Sequence, residues 1–428
     1  MYKLPQGWVE CELKDIFNTS SGGTPKRGNS AYYGGIIPWL KSGELNNGII
    51  TEAEEYITEE GLKNSSAKLF PRGSLLIALY GATVGKLGIL NFDSATNQAI
   101  CCIYQNKYYD RDFLFYYLLF KKEYLVNQGK GGAQPNISQE IIKALHIPVL
   151  PFNEQKRIVE KIEEEFTKID EGIEKLKLAQ EEIKQYKQSV LKSAFEGKLY
   201  KTSEWKEKKF EDICTYIQRG KSPKYSNIKN DNFIINQKCV RWDKLRVEFI
   251  KYVTDDFWNN LPQERFLQAG DILWNSTGTG TIGRAYLYNG DELLKTIVDS
   301  HVTIVRTSKN DIVSKFLFYF IMSPFVQYKI EAMQSGSTNQ VELGSQEIKK
   351  TILNVPTLEE QIKIVKEIEK RFKIADKVEK VIMDNLEKAR QLKQSILKKA
   401  FEGRLVPQDP NDEPASVLLE KIKAERGK

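Results

Sequence analysis

The sequence predicts a mixed α/β (α+β) fold in which two long antiparallel coiled-coil helices separate two α/β heads, with an internal pseudo-two-fold duplication. The duplication is direct: residues 154–199 recur at 360–405, and the two copies agree at 20 of 46 positions without a gap. Strand-like apolar runs between glycine-rich turns precede each copy. Because 428 residues also exceed what one hydrophobic core organises, we expect each half to be a head followed by a helix.

The heads are predicted from short apolar runs and one helix each. The runs are rich in aliphatic residues and are bounded by glycine, asparagine or aspartate. We expect strands at 74–80, 99–104, 271–276 and 301–306, and helices at 110–127 and 312–334. Cys101 and Cys102 should then point to opposite faces of one strand. Trp8 and Trp205 recur at the start of each head, where we expect them to be core anchors.

The spacer helices are predicted from residues at alternating steps of four and three, which form a heptad seam. The seam is Ile162, Phe166, Ile169, Ile173, Leu176, Gln180, Ile183, Lys187, Val190 and Ala194, and then Ile368, Phe372, Ala375, Glu379, Ile382, Leu386, Ala389, Lys393, Ile396 and Ala400. Its four polar members can specify register and partner orientation. Gly197 and Gly403 follow the helices, and glycine can adopt the left-handed conformation that ends a helix.

The helix length predicts a spacing between the heads. About 41 helical residues at about 1.5 Å each span roughly 60 Å. Since the second head begins where the first helix ends, antiparallel pairing is expected to put the heads at opposite ends, a geometry that suits two DNA half-sites separated by turns of about 34 Å. The predicted domains are a first head at 1–151, a first helix at 152–200, a second head at 201–356, a second helix at 357–406 and a tail with a short helix at 407–428.

The composition favours an anionic partner and a reducing compartment. The net charge is +7, although 64 basic residues against 57 acidic ones make a mixed surface. The five cysteines form no CxxC pair, which is typical of a reduced, cytoplasmic protein. We find no signal peptide and no apolar stretch near the 18 or so residues that cross a bilayer, so no membrane association is expected.

The chain resembles the specificity subunits of type I restriction-modification enzymes along essentially its whole length. The resemblance lies in LPQGWVECEL near the start and SEWKEKKFEDI after the first helix, in two EQxxIVxxIExxF helix starts, in two AFEGxL helix ends and in the tail at 405–426. It implies a non-catalytic, DNA-binding subunit whose heads are target-recognition domains, each reading one half of a bipartite, asymmetric double-stranded DNA target.

The same resemblance implies the partners. The helices would bind two modification (methyltransferase) subunits, and restriction subunits with translocase and nuclease activity would join the complex. S-adenosylmethionine, ATP and magnesium are then expected on those partner subunits, with no cofactor, metal or catalytic residue in this chain.

Three motifs suggest small-molecule or metal sites, and we interpret each otherwise. The GxGxxG pattern at 278–283 follows a predicted strand, but the next residues, RAYLY, favour another strand where a dinucleotide site needs a helix. GATVGK at 81–86 is one residue short of a phosphate loop and continues with Leu87 where Ser or Thr should be. His146 and His301 lie in unlike contexts, so a structural or DNA-contact role is expected for them, not a metal site.

The candidate DNA-reading residues are polar residues on loops that recur in both heads, and their chemistry suits contact with bases or phosphates. Arg and Lys suit guanine, Asn and Gln suit adenine, and hydroxyls suit phosphate. For any one of them a solvated turn is the alternative. In the first head they are Ser21, Thr24, Lys26, Arg27, Tyr80, Thr83, Lys86, Lys130, Gln134 and Asn136. In the second head they are Arg219, Lys221, Lys224, Tyr225, Lys238, Arg241, Asn275, Thr277, Thr279, Arg284, Ser337, Asn339 and Gln340.

Two rival functions stay open at the level of sequence. One is a catalytic fused methyltransferase-nuclease, which would bind S-adenosylmethionine; against it, the heads and helices use the whole length, and we find no NPPY or DPPF signature. The other is a coiled-coil scaffold that does not act on nucleic acid. It predicts DNA affinity, if any, without sequence preference or the steep salt dependence of counterion release.

Overall fold

The computed structural model describes residues 4–129, 136–278, 280–290, 295–330, 334–335 and 342–426. The chain divides into two compact units: the first is Met1–Lys175 with Asn385–Lys428, and the second is Leu176–Asp384. Both divisions fall inside long helices, so each unit contains one head and a segment of both helices.

The first half begins with short strands and ends in a long helix. Its strands are β1 (Val9–Glu12), β2 (Thr19–Ser21), β3 (Tyr33–Leu40), β4 (Gly48–Ile50), β5 (Glu55–Ile57), β6 (Leu69–Phe70), β7 (Leu75–Ala78), β8 (Leu87–Leu90), β9 (Ser94–Thr96), β10 (Ile100–Ile103) and β11 (His146–Val149). Its helices are α1 (Leu13–Ile16), α2 (Glu59–Lys63), α3 (Arg111–Phe120), α4 (Lys122–Gln128), α5 (Gln139–Lys143) and α6 (Phe152–Phe195).

The second half has a similar but not identical order of elements. Its strands are β12 (Lys206–Lys209), β13 (Cys214–Arg219), β14 (Tyr225–Ser226), β15 (Phe233–Ile235), β16 (Lys251–Val253), β17 (Ile272–Asn275), β18 (Ala285–Leu287), β19 (Thr296–Val298), β20 (Val302–Thr307), β21 (Gln334–Ser335), β22 (Glu342–Leu343) and β23 (Ile352–Val355). Its helices are α7 (Phe210–Ile213), α8 (Asp255–Asn259), α9 (Ser314–Met322), α10 (Pro324–Gln327), α11 (Ser345–Lys350), α12 (Leu358–Phe401) and α13 (Ala415–Arg426).

Both heads use one sheet topology. The order β2-β10-β7-β8 in the first head corresponds to β13-β20-β17-β18 in the second, with antiparallel neighbours throughout. A second sheet in each head contains a parallel pair, β3 with β9 and β15 with β19. The mixed α/β class is therefore confirmed, and the duplication extends through the heads.

The predicted strands are confirmed, and one predicted helix is wrong in its length. Strands β7, β10, β17 and β20 occupy the four apolar runs, and Cys101 and Cys102 lie in different core clusters as alternation requires. The helix expected at 110–127 is divided at Lys121 into α3 and α4. The helix expected at 312–334 stops earlier because Pro324 keeps Ser323 extended, and Gln334 lies in strand β21.

The two long helices follow the predicted heptad seam. Helices α6 and α12 each have 44 residues, and every seam position is buried or half-buried. Their segments are antiparallel within each unit: in the first, Ile162 shares a core with Ile396, and in the second, Val190 shares one with Ile368. Gly197 and Gly403 follow the helices with φ of 73° and 64°, as the helix-ending role predicts.

The polar seam residues form matching ion pairs. In the second unit, Lys187 Nζ lies 2.7 Å from both Asp376 Oδ1 and Glu379 Oε2. In the first unit, Lys393 Nζ lies 2.5 Å from Asp170 Oδ1. Since Lys393 and Asp376 follow Lys187 and Asp170 by the same 206 positions, both copies use one lysine–aspartate pair. Such a pair favours one register over a shifted one.

A tryptophan and a buried glutamate join each head to its helix. Trp8 Nε1 donates to Glu154 Oε1 at 3.1 Å, and Trp205 Nε1 donates to Glu360 Oε1 at 3.1 Å. The expected anchoring role of both tryptophans is confirmed. Burial raises the pKa of Glu154 despite the Trp8 hydrogen bond. For Glu360 burial acts in the same direction, but hydrogen bonds, including those from Ser203 and Trp205, lower its pKa overall.

The glutamine that follows each of these glutamates also forms hydrogen bonds between the head and its helix. Gln155 Oε1 accepts the Asp110 N–H at 2.7 Å, just before α3. Gln361 Oε1 accepts the Val313 N–H at 2.7 Å, just before α9. Both glutamines are fully buried. The glutamate–glutamine pair at the start of each long helix therefore satisfies buried donors of the head.

The tail belongs to the first unit. Leu418 and Ile422 of α13 are buried in the core that also contains Cys11 of β1. In the second unit, strand β12 has Lys208 exposed at the position of Cys11 by sheet register. The two copies of this strand therefore differ at this position, and α13 packs into the core that contains the buried Cys11.

Candidate nucleic-acid interface

Three loops of the first head meet at one edge of its main sheet. The Gly22 N–H donates to the Ile100 carbonyl at 3.1 Å, the Leu79 N–H to the Ala99 carbonyl at 2.7 Å and the Ile137 N–H to the Leu79 carbonyl at 2.8 Å. These bonds bring together the segments 22–27, 80–86, 96–99 and 136–137, which we call the first loop edge. The loops chosen from the sequence are thus brought together.

The second head builds the same edge with the same backbone bonds. The Gly220 N–H donates to the Val302 carbonyl at 3.0 Å, the Ser276 N–H to the His301 carbonyl at 2.9 Å and the Leu343 N–H to the Ser276 carbonyl at 2.7 Å. The segments 219–225, 236–241, 276–278, 280–284, 299–301 and 342–343 form this second loop edge. Its side chains are unlike those of the first, so one scaffold presents two different surfaces.

A glycine is required where the backbone leaves strand β2 or β13. A Cβ on Gly22 would lie 2.1 Å from Thr96 Oγ1, and one on Gly220 would lie 2.1 Å from the Val298 carbonyl oxygen. No side chain fits at such distances, so these glycines let the first loop pass over the turn that precedes β10 or β20. The sequence signal was the glycine in each polar loop.

The GxGxxG segment is a hairpin. Strand β18 follows it and pairs antiparallel with β17, and the Gly278 and Gly283 backbones have φ of 98° and 84°. The equivalent loop with Gly81 and Gly85 joins β7 to β8 in the same way. A dinucleotide site needs a helix after the glycines, so the expectation that a strand follows the GxGxxG motif is confirmed.

The predicted residues of the first head differ in how free their side chains are. Those of Lys26, Tyr80 and Asn136 are exposed, whereas those of Ser21, Thr24, Thr83 and Lys86 are half-buried. Arg27 is exposed but held in place: its Nη1 lies 2.6 Å from Glu55 Oε2, and its guanidinium lies 4.8 Å from the ring centroids of Tyr33 and Trp39. Lys26 is therefore the cation of this loop best placed to meet a phosphate.

The second head exposes more cations. Lys221, Lys224, Tyr225 and Lys238 are exposed, and Arg241 and Arg284 are half-buried. Lys224 Nζ lies 3.5 Å from Asp256 Oδ2. Arg219 is held internally, because its Nε donates to the Ser300 carbonyl at 2.9 Å and its Nη1 lies 2.9 Å from Glu342 Oε2. We therefore expect Arg219 to hold the turn at Ser300 and strand β22 in place, and not to contact DNA directly.

Asn275 and Thr277 are corrections to the predicted set. Both side chains are buried. Asn275 Nδ2 donates to the Gln237 carbonyl at 3.0 Å, and the Thr277 hydroxyl contacts Gln237 Oε1 and His301 Nδ1. They hold the hairpin against neighbouring segments, so we assign them a structural role. The predicted residues Lys130, Gln134, Thr279, Ser337, Asn339 and Gln340 lie outside the described residues.

The turn before β10 and β20 belongs to the loop edge of each head and was not predicted from the sequence. In the first head this turn contains Gln98, which is exposed and accepts the Thr24 hydroxyl. In the second it contains Asp299, whose Oδ1 accepts the His301 N–H at 2.9 Å and whose pKa burial raises. At the place of Asp299 the first head has Asn97, whose Oδ1 accepts the Ala99 N–H at 3.2 Å, so the available signal was an Asn or Asp at the same place of this turn in both copies.

The cysteine and metal chemistry of the described residues is limited. Burial raises the pKa of Cys101, Cys102 and Cys214 to about 12 in each case, so these thiols are protonated at neutral pH. Among the described residues no group of three or more His, Cys, Asp or Glu side chains could hold a metal ion. Within the same residues, no helix has the length and apolar character needed to cross a bilayer.

Comparison with known proteins gives consistent matches along the chain. The sequence model of the type I restriction modification DNA specificity domain matches residues 5–184 and 202–388. The type I restriction enzyme EcoKI specificity subunit of Escherichia coli (strain K12) is 25% identical over an alignment 453 residues long. The alignment covers 99% of this chain and 96% of that protein. The MjaVIII specificity subunit of Methanocaldococcus jannaschii is 24% identical, with 94% of each chain covered.

Solved structures share the fold. A chain from a structural study of complex assembly and conformational transition of the type I R-M system superimposes with a TM-score of 0.72 at 19% identity, covering 94% of this chain and all of that one. The HsdS subunit from Thermoanaerobacter tengcongensis has a TM-score of 0.51 at 19% identity, with 94% and 98% covered.

Proposed function

This chain belongs to the family of type I restriction-modification DNA specificity proteins, and on that premise we propose that each head reads one half of a bipartite, asymmetric double-stranded DNA target. As a member of this family it is a DNA-recognition subunit and not a catalytic one. The observation that supports the proposal is the repeated loop edge. The same backbone bonds recur in both heads while the side chains differ, as two readers of unlike sequences require.

The residues proposed to meet DNA are the exposed polar members of the two loop edges. In the first head they include Lys26, Tyr80 and Asn136, and in the second Lys221 and Lys238. Lysines on such loops neutralise phosphates and fix the position of the head, whereas base edges are read by groups with a defined hydrogen-bonding pattern. The candidates outside the described residues remain part of this proposal on chemistry alone: Lys130, Gln134, Thr279, Ser337, Asn339 and Gln340.

The long helices are proposed to dock two modification subunits, and restriction subunits are proposed to complete the complex. S-adenosylmethionine, ATP and magnesium would be bound by those partners, and the complex would act in the cytoplasm. We further propose that helix length sets the unread spacer between the half-sites. Each helix is 44 residues, or about 66 Å.

The spacer proposal is tested by changing the length of both helices together. Insertion of one heptad in α6 and one in α12 keeps the seam in phase and lengthens each helix by about 10 Å. The expected motif, mapped as methylated adenines across a genome that carries the complete system, has both half-sites unchanged and a longer spacer. Altered half-sites with an unchanged spacer would contradict the proposal.

A further inference from the structure

The second loop edge contains a polar network around His301 that the first loop edge lacks. Thr277 Oγ1 lies 2.6 Å from His301 Nδ1 and 3.2 Å from Gln237 Oε1. The backbone of His301 is fixed on both sides, by Ser276 through its carbonyl and by Asp299 through its N–H. The residue is nevertheless exposed.

The first head keeps the backbone bonds of this turn, because Asn97 Oδ1 accepts the Ala99 N–H at 3.2 Å, but its described residues form no matching side-chain network. The backbone bond that joins Ser276 to His301 joins Leu79 to Ala99 in the first head, so an alanine occupies the histidine position. Tyr80 occupies the position of Thr277, directly after the shared bond. A feature confined to one head suits a reader of one half-site, whereas a requirement of the shared fold would recur.

The hydrogen bonds around the His301 ring favour one of its two neutral tautomers. A side-chain amide oxygen can only accept, and a threonine hydroxyl has one proton to donate. With Gln237 Oε1 facing Thr277 at 3.2 Å, the hydroxyl proton is directed to that oxygen, and the 2.6 Å contact with His301 then fits the tautomer with its proton on Nδ1. In the neutral ring, Nε2 is then an acceptor with its lone pair available.

The charged groups around the turn are engaged in holding it. Arg219 Nε donates to the Ser300 carbonyl, and its Nη1 pairs with Glu342. Asp299 is buried and accepts the His301 N–H through Oδ1. The exposed imidazole is thus carried on a turn fixed from strands β13, β19 and β22, as base reading requires.

We propose that His301 is a specificity-determining residue of the second head, whose Nε2 accepts a hydrogen bond from the exocyclic amino group of adenine or cytosine in the major groove. Adenine N6 and cytosine N4 are the major-groove donors, while guanine and thymine present acceptor oxygens at the corresponding positions. The inference rests on the proposed function, because it assigns one base contact to a head that reads DNA.

Base selection by the assembled complex tests this contact. The probe is a library of randomised DNA duplexes, selected with the chain bound to its modification subunits. His301→Phe should lower the preference for adenine or cytosine at one position of one half-site by about 10-fold, toward the lower end of the range of a bidentate base contact because one hydrogen bond is lost. The matched control is His146→Phe, which changes the chain's other histidine, on β11, and should leave the motif unchanged.

Thr277→Val separates a base contact from a structural role. Without the hydroxyl, Nδ1 is no longer held as a donor, so the tautomer with a proton on Nε2 becomes populated and can donate to guanine or thymine. The preference should broaden at the same position and nowhere else. If His301→Phe weakens binding to all duplexes equally, or alters both half-sites, the inference is wrong while the proposed function stands. If the unaltered complex selects no sequence, the proposed function fails and the inference with it.

The tautomer can be measured without DNA. The chain contains two histidines, so protein labelled with ¹⁵N-histidine gives signals from two rings, and His146→Phe assigns them. In mildly alkaline buffer His301 should show a protonated Nδ1 and an unprotonated Nε2. The reverse pattern would overturn the argument.

Discussion

Gln361→Ala should loosen the second head from helix α12 and leave the first unit unchanged. Gln361 Oε1 accepts the Val313 N–H at 2.7 Å, and its Nε2 donates to the carbonyls of Pro356 and Asp311 at 3.0 and 3.2 Å. Alanine removes all three bonds in a fully buried place. A buried donor left without a partner costs about 1–3 kcal/mol, and with the lost carbonyl bonds we expect about 3 kcal/mol.

Hydrogen exchange resolved along the chain is the suitable assay, because a protein with two compact units need not unfold in one step. A loss of about 3 kcal/mol corresponds to about 100-fold faster exchange at the start of α9 and α12 in the second unit. Gln155→Ala is the twin variant and should produce its effect in the first unit. Gln391→Ala, at an exposed glutamine of the same helix, should change little. Less than about 3-fold acceleration for Gln361→Ala, or acceleration in the first unit, would refute the reasoning.

Further predictions concern the seam, the tail and the loop edge. Lys187→Met should lower the free energy of unfolding by about 1 kcal/mol, because Glu379 loses the half-exposed lysine that pairs with it. The double variant Lys187→Met with Glu379→Leu should regain that free energy, as denaturant titration would show. Leu418→Ala and Ile422→Ala should each cost about 2–4 kcal/mol, with faster exchange in the first unit alone. Lys221→Ala should weaken binding to all DNA sequences alike and lower the slope of log affinity against log salt by about 1, measured by fluorescence anisotropy; a loss limited to one sequence would contradict a phosphate role.

The features predicted from sequence are those with a local or repeated signal. The long helices were predicted because the heptad period is local and occurs twice, and the strands because each is a short apolar run between turn residues. The order of the sheets was not predicted. Strand β10 lies between β2 and β7 although it follows β2 by about 80 residues, and no local pattern encodes such a pairing.

In the candidate site, too, the features with a local sequence signal were predicted and the long-range contacts were not. The loops were identified by composition, and shared backbone bonds bring them together, but individual side chains depend on distant partners. Asn275 and Thr277 were expected at the surface, yet both are buried and both form hydrogen bonds to Gln237, about 40 positions earlier in the chain. Arg27 was expected to be free, yet Glu55 and two aromatic rings hold it. Contacts of this kind are decided by tertiary packing.

Exchange of one head tests the division of the target between two readers. Residues 201–356 would be replaced by the matching segment of another specificity subunit whose motif is known. Both long helices would be retained, including Glu360 and Gln361 at the start of α12. Methylated adenines would then be mapped in cells that carry the complete system. The account predicts a motif in which one half-site is that of the donor and the other half-site and the spacer are unchanged. Replacement of both half-sites, or of neither, would contradict it.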